Sequence, residues 1–174
     1  MEPRLAKNDK KLFYTYLDNT NVYFEYGSGG STYQASIREN IRTIYSVESD
    51  SVWYEKLNKT ITNPNLNYIY NEMDVHPNNW GNPGKNATNI QKINYSNHMR
   101  KLSKEEQDSI DLVFIDGRFR VACCLKCYDI IKDTCIIAFD DFLNRQYYHI
   151  VLEYFDIIEK QKIIDWLFSK RKKM

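Results

Sequence analysis

The sequence predicts an α/β fold, a single domain of three layers on a mostly parallel sheet, and three observations carry that prediction. Apolar runs of strand length alternate with segments of helical periodicity along most of the chain, the pattern of strands buried on both faces. The first run ends in "EYGSGGST", where small residues leave backbone N–H groups open to a ligand. A length of 174 residues, 43% of them hydrophobic and 27% charged, suits one domain over residues 1–174 and excludes wholesale disorder.

The expected strands are "NVYFEY" (21–26), "TIYSVE" (43–48), "LNYIYN" (66–71), "IDLVFID" (110–116) and "CIIAFD" (135–140). Helical patterns fall between and after them, near 31–40, 51–59, 120–132 and 144–154. At the end, "YFDIIEKQKIIDWLF" holds two β-prone runs around Lys160-Gln161, which predicts an antiparallel hairpin. Between Asp74 and Gln107 the texture changes to asparagine, glycine and proline without clear periodicity, and we expect a lid over substrate or cofactor there, with a plain surface excursion as the alternative.

A net charge of +1 supplies no field that would draw the protein to nucleic acid or to an anionic membrane, and it leaves the oligomeric state open. The basic run Lys170-Arg171-Lys172-Lys173 reads as a solvated tail. No apolar stretch approaches the roughly 20 residues of a membrane span, and "MEPRLAKNDKK" lacks the apolar core of a signal peptide, so a cytoplasmic location is expected. On that expectation the Asn-X-Ser/Thr sites at Asn58, Asn86 and Asn94 are chance matches. Cys123, Cys124, Cys127 and Cys135 read as reduced, buried thiols, since the one Cys-x-x-Cys pair has no second pair or histidine at ligand spacing.

Glu25 closes the first strand, Gly27, Gly29 and Gly30 form the turn, and Glu48 ends the second strand about where an acid would take the vicinal hydroxyls of a ribose. A nicotinamide or flavin cofactor calls for a third glycine, and Thr32 stands in that position counted from Gly27. An acid ahead of the glycines is a poor neighbour for a pyrophosphate and suits a ligand bearing an ammonium and a sulfonium.

From residue 21 onward the sequence resembles the class I S-adenosylmethionine-dependent methyltransferases, which are Rossmann-like. "EYGSGGST" is similar to their first motif, "SVESD" followed by Trp53 to their second strand with its ribose-binding acid, and "DLVFIDGR" to their fourth strand with its terminal Asp. The hairpin would supply the family's reversed last strand. The resemblance implies S-adenosylmethionine as cofactor, with Gly27, Ser28 and Gly29 lining its methionine and ribose part and Glu25 near its amino group. Ser31, Thr32 and Ser49 join that set, Glu48 takes the ribose hydroxyls, and Asp74 meets the adenine amine.

A narrower likeness is to metal-dependent O-methyltransferases, including those acting on sugars, in which an Asp after the fourth strand and an acidic pair after the fifth hold a cation. Here those positions are Asp116 and Asp140-Asp141, which would suit Mg²⁺ or Mn²⁺. The alternative is a metal-free site in which Asp116 acts as an unassisted base, Asp140-Asp141 caps the next helix, and Arg118 or Arg120 supplies the counter-charge. His149 and His98 are candidate bases or structural residues, His76 has no assigned role, and Trp80 would cover substrate or adenine or pack within the lid. The implied activity is methyl transfer to oxygen, with a small molecule or glycan as acceptor and a sugar hydroxyl favoured; the alternative is a cofactor-binding, catalytically inactive partner subunit.

Overall fold

The computed structural model describes residues 1–76, 79–159 and 167–171. Five parallel strands, β1 (Val22–Tyr26), β2 (Thr43–Glu48), β3 (Leu66–Tyr70), β4 (Leu112–Ile115) and β5 (Ile136–Phe139), lie within a residue or two of their expected bounds. With β6 (Phe155–Glu159) and β7 (Leu167–Arg171) they form one sheet in the order β3-β2-β1-β4-β5-β7-β6, and β7 runs antiparallel to both neighbours. The second arm of the expected hairpin therefore begins at Leu167, and its expected turn at Lys160-Gln161 lies outside the described residues.

The two-residue period of the strands divides the core. On one face, Tyr23, Ile44, Leu112, Phe114 and Ala138 pack with Phe13 and Leu17 of helix α1 (Lys7–Leu17) and Ala35 of helix α2 (Gly30–Ser36). On the other, Phe24, Tyr26, Val47, Val113, Ile115 and Phe139 pack with the cysteines of a helix at Arg120–Cys127 and with Tyr95 and Met99. All four cysteines are buried free thiols, and burial pushes each of them up, as their apolar setting requires.

Helix α3 (Ser51–Thr60) follows β2 with Asp50 as its N-cap, the Asp50 carboxylate accepting from Trp53 N–H at 3.0 Å. Several elements depart from expectation. Helix α1 was not expected, although Asp9, Phe13 and Leu17 share one buried face at a four-residue spacing. The segment 74–107 is not aperiodic throughout: it contains α4 (Asn89–Ser96), and α5 (Lys104–Ser109) begins within it; both are opened by reciprocal caps, Thr88 with Gln91 and Ser103 with Glu106. Tyr95 and Met99 are 1% exposed and join the core, whereas Ile90 and Ile93 of α4 remain exposed, and the described residues of 74–88 form a surface excursion. Lastly, α6 (Arg120–Cys127) stops five residues short of the expected 132, and the helix expected at 144–154 is a 3₁₀ helix over Gln146–Glu153. Among the described residues, no helix is long and apolar enough to cross a membrane.

Candidate functional site

The parallel strands end along one edge of the sheet, and the loops leaving β1, β2, β4 and β5 meet there. The turn after β1 depends on two glycines from different strands. Gly27 has φ +94°, and a Cβ on it would lie 2.5 Å from the Gly117 backbone, so the β1 and β4 loops touch through bare main chain. Gly29 is extended, with open space where a side chain would project.

Beneath this turn sits Glu25, with no exposed surface. The two-residue period directs it to the Tyr23 face, where its carboxylate accepts hydroxyl hydrogens from Tyr23 at 2.9 Å, Ser46 at 2.5 Å and Thr32. Thr32 in turn accepts from Gly29 N–H at 2.8 Å, and Ser31 is buried beside them. Burial raises the Glu25 carboxyl against the pull of these hydroxyls. These hydrogen bonds make Glu25 a support that holds the turn from below. Ser46 was not singled out from the sequence; its place on β2 opposite Glu25 is a matter of sheet register.

Glu48 at the end of β2 is the second hub. Its carboxylate accepts from Ser28 N–H at 3.2 Å, Ser49 N–H at 2.6 Å and Asp50 N–H at 2.8 Å, and Trp53 Nε1 donates to Ser28 O at 2.8 Å, so the β1 and β2 loops form one unit. Glu48 is 7% exposed, and burial raises its pKa to about 7 against those three N–H donors. Only one donor reaches Oε2, which leaves that oxygen able to accept a further hydroxyl. Nearby, the buried Tyr68 hydroxyl makes no hydrogen bond of ordinary geometry among the described residues.

Among the described residues, no hydrogen bond joins Asp74 to this unit. Its carboxylate accepts from Asn86 N–H at 2.8 Å and lies against Gly84, closing the base of the 74–88 excursion. The tip of that excursion turns back: Gly81 lies against Ser49 and Glu48, and Trp80, 68% exposed, takes Arg4 over its ring at 4.5 Å.

The acids after β4 and β5 meet as the sequence implied, around a different cation. The Arg120 guanidinium, 5% exposed, pairs with Asp116 at 2.8 Å, Asp141 at 3.0 Å and Asp140 at 3.3 Å. It also donates to the carbonyls of Asp116, Gly117 and Asp140. Burial opposes its charge, yet the three carboxylates raise its pKa, so Arg120 is held protonated. This corrects the metal assignment of Asp116, Asp140 and Asp141: a fixed guanidinium stands where Mg²⁺ or Mn²⁺ would have to bind, and no metal-holding group of His, Cys, Asp or Glu occurs among the described residues. Asp116 and Asp140 share a hydrogen bond, and burial raises both carboxyls, with the charge of Asp141 adding to the rise at Asp116 and the charge of Asp116 to the rise at Asp140.

Backbone strain gathers at the same rim. Trp80, Phe119 and Asp141 all adopt positive φ, at 54°, 55° and 58°, a conformation costing non-glycine residues about 1–2 kcal/mol each. Of the histidines, His98 meets Asn71 at 3.0 Å, and burial lowers its pKa to about 4. His149 meets the Phe142 carbonyl at 3.2 Å and lies against the Phe142 ring.

No protein-family model and no curated protein sequence matches the chain. Solved structures do. A methyltransferase-like protein from Silicibacter pomeroyi DSS-3 is 25% identical over 99% of this chain and 90% of its own, with a TM-score of 0.82. A candidate caffeoyl-CoA O-methyltransferase from Staphylococcus aureus superposes at TM-score 0.62 with 14% identity, over 98% of this chain and 86% of its own. TYW2 of M. jannaschii, solved in complex with AdoMet, does so at 0.50 with 12% identity, over 98% and 79%. The open space at Gly29, the spare acceptor position on Glu48 and the unsatisfied Tyr68 hydroxyl fit a ligand of that kind, one with a ribose to bind. Strand order, loop chemistry and structural neighbours agree that this chain has the class I S-adenosylmethionine-dependent methyltransferase fold.

Proposed function

We propose that the protein is an S-adenosylmethionine-dependent O-methyltransferase acting on a hydroxyl of a small acceptor, a sugar or glycan hydroxyl being the class the sequence resemblance favours. The observation that carries this reading is the contact between Gly27 and Gly117, which puts Asp116 one residue from the glycine turn. Bound there, the cofactor would supply a methyl group on a positively charged sulfur. Ser28, Gly29, Ser49 and Glu48 hold and orient it, with Glu48 accepting from ribose hydroxyls. Asp116, whose side chain keeps 38% of its surface exposed, accepts the acceptor hydroxyl proton as the new C–O bond forms and the C–S bond breaks. Arg120 fixes the Asp116 carboxylate and supplies a positive charge to the acids around it. The loop carrying Trp80 and Gly81 shields the reaction from water.

Calorimetry with S-adenosylhomocysteine and, separately, NAD tests the cofactor, and release of S-adenosylhomocysteine in a screen of hydroxylated acceptors tests the chemistry. Binding of S-adenosylhomocysteine and not NAD, with turnover on a hydroxylated acceptor, is expected. NAD binding alone would overturn the reading. Binding with no turnover across sugars, sugar acids and phenols would favour the inactive partner subunit.

A further inference from the structure

Beside Asp116 lies a cavity of about 300 Å³, lined by Asn82 and Pro83 of the excursion, the Gly117–Arg120 loop, and Arg145, Tyr147 and Tyr148. Its three arginines are in different states. Arg120 is saturated by three carboxylates and three carbonyls. Arg145 donates to Asp141 at 2.6 Å and to the Tyr148 hydroxyl at 2.9 Å. Arg118 forms no ion pair among the described residues; its terminal nitrogen donates to the neutral Asn82 side chain at 2.7 Å, and its Nε is buried without a hydrogen-bond partner. A buried guanidinium N–H left unpaired is costly, and its natural complement is a planar or tetrahedral oxyanion taking two parallel N–H bonds. Asp116 is already paired with Arg120, so Arg118, which has no carboxylate at ion-pair distance among the described residues, is left for something that enters the cavity.

We propose that the acceptor carries a compact oxyanion, a phosphate or a carboxylate, received by Arg118 in this cavity, with Arg145 and the two tyrosines completing its walls. The cavity has room for the anionic group and the ring that bears it, and an acidic or phosphorylated sugar falls in this class whereas a neutral one does not. The word acceptor rests on the methyltransferase reading; recognition of the anion at Arg118 does not.

The test titrates the full chain, at constant ionic strength, with inorganic phosphate and separately with acetate, following the arginine Nε–H resonances by NMR and the affinity by calorimetry. The Arg118 resonance is assigned by its loss in Arg118→Gln. A saturable shift of that resonance with at least one probe is expected, and whichever probe binds more tightly separates phosphate from carboxylate. The dissociation constant should rise about tenfold in Arg118→Gln, and equally in Asn82→Asp, which leaves Arg118 in place and gives it an internal carboxylate instead. Should Arg118→Gln fail to fold, the Asn82→Asp result decides. Absence of saturation by both probes, or an affinity unchanged in the variants, overturns the proposal. S-adenosylhomocysteine is titrated in parallel: if it fails to bind while the anion does, the methyltransferase reading falls and the anion site stands by itself.

Discussion

Glu48 makes cofactor affinity depend on pH near neutrality. Its carboxyl is buried at the end of β2 and raised to about 7, while hydroxyl donors on a ribose favour the ionised form. Binding should therefore expel a proton: below about 7 affinity falls, by at most about tenfold per pH unit, and above it affinity levels off. In the free protein the sign is opposite. A carboxyl raised above its unfolded value of 4.5 contributes stability that is complete below 4.5 and is lost as pH rises through about 7, at most about 3 kcal/mol. Glu48→Gln removes both effects. Its amide oxygen can serve Ser49 and Asp50, but its NH₂ would face the Ser28 N–H and leave that donor unpaired. The loss in cofactor affinity should be about 1–3 kcal/mol, or roughly 5- to 150-fold. Calorimetry of S-adenosylhomocysteine in two buffers of different ionisation enthalpy reads the proton directly: release of about half a proton near pH 7 and almost none two units higher, against none at any pH in Glu48→Gln. A wild-type affinity flat from about pH 6 to 8, or a variant that binds as tightly as the parent, would refute the ribose assignment.

Three further outcomes follow from the geometry. Asp116→Asn should lower kcat by about 100-fold or more while leaving S-adenosylhomocysteine affinity unchanged, and wild-type kcat should rise with pH above the ordinary carboxylate range as the raised Asp116–Asp140 pair ionises. Turnover should survive a chelator, because Arg120 occupies the place of a cation; loss on chelation with recovery in Mg²⁺ would show that the guanidinium moves aside. Arg120→Met leaves three acids facing one another and should cost about 3–5 kcal/mol in denaturant unfolding, easing as pH falls and they protonate.

The positions of the parallel strands, the glycine turn and the acid ending β2 were legible because each is a local pattern: a run of apolar residues, a break, a polar residue at the break. The same local logic could have found α4 and α5, since Thr88 with Gln91 and Ser103 with Glu106 spell capping boxes; the asparagine-rich composition around them drew attention away. Helix α1 was harder, because Ala6 offers no side-chain cap and lysines crowd its first turns. Tertiary structure alone decided the rest. Whether Glu25 meets a ligand or supports the turn depends on which hydroxyls the register of β2 sets opposite it, and Ser46 is 21 residues away in the chain. The charge at the β4 and β5 ends was ambiguous for the same reason: Asp116, Asp140, Asp141, Arg118, Arg120 and Arg145 are all visible in the sequence, and their sum is zero. Only the packing of α6 against the sheet sends Arg120 inward to satisfy three acids and leaves Arg118 beside a cavity with a buried N–H unpaired. Electrostatic roles follow distance and desolvation, and neither is a property of sequence order.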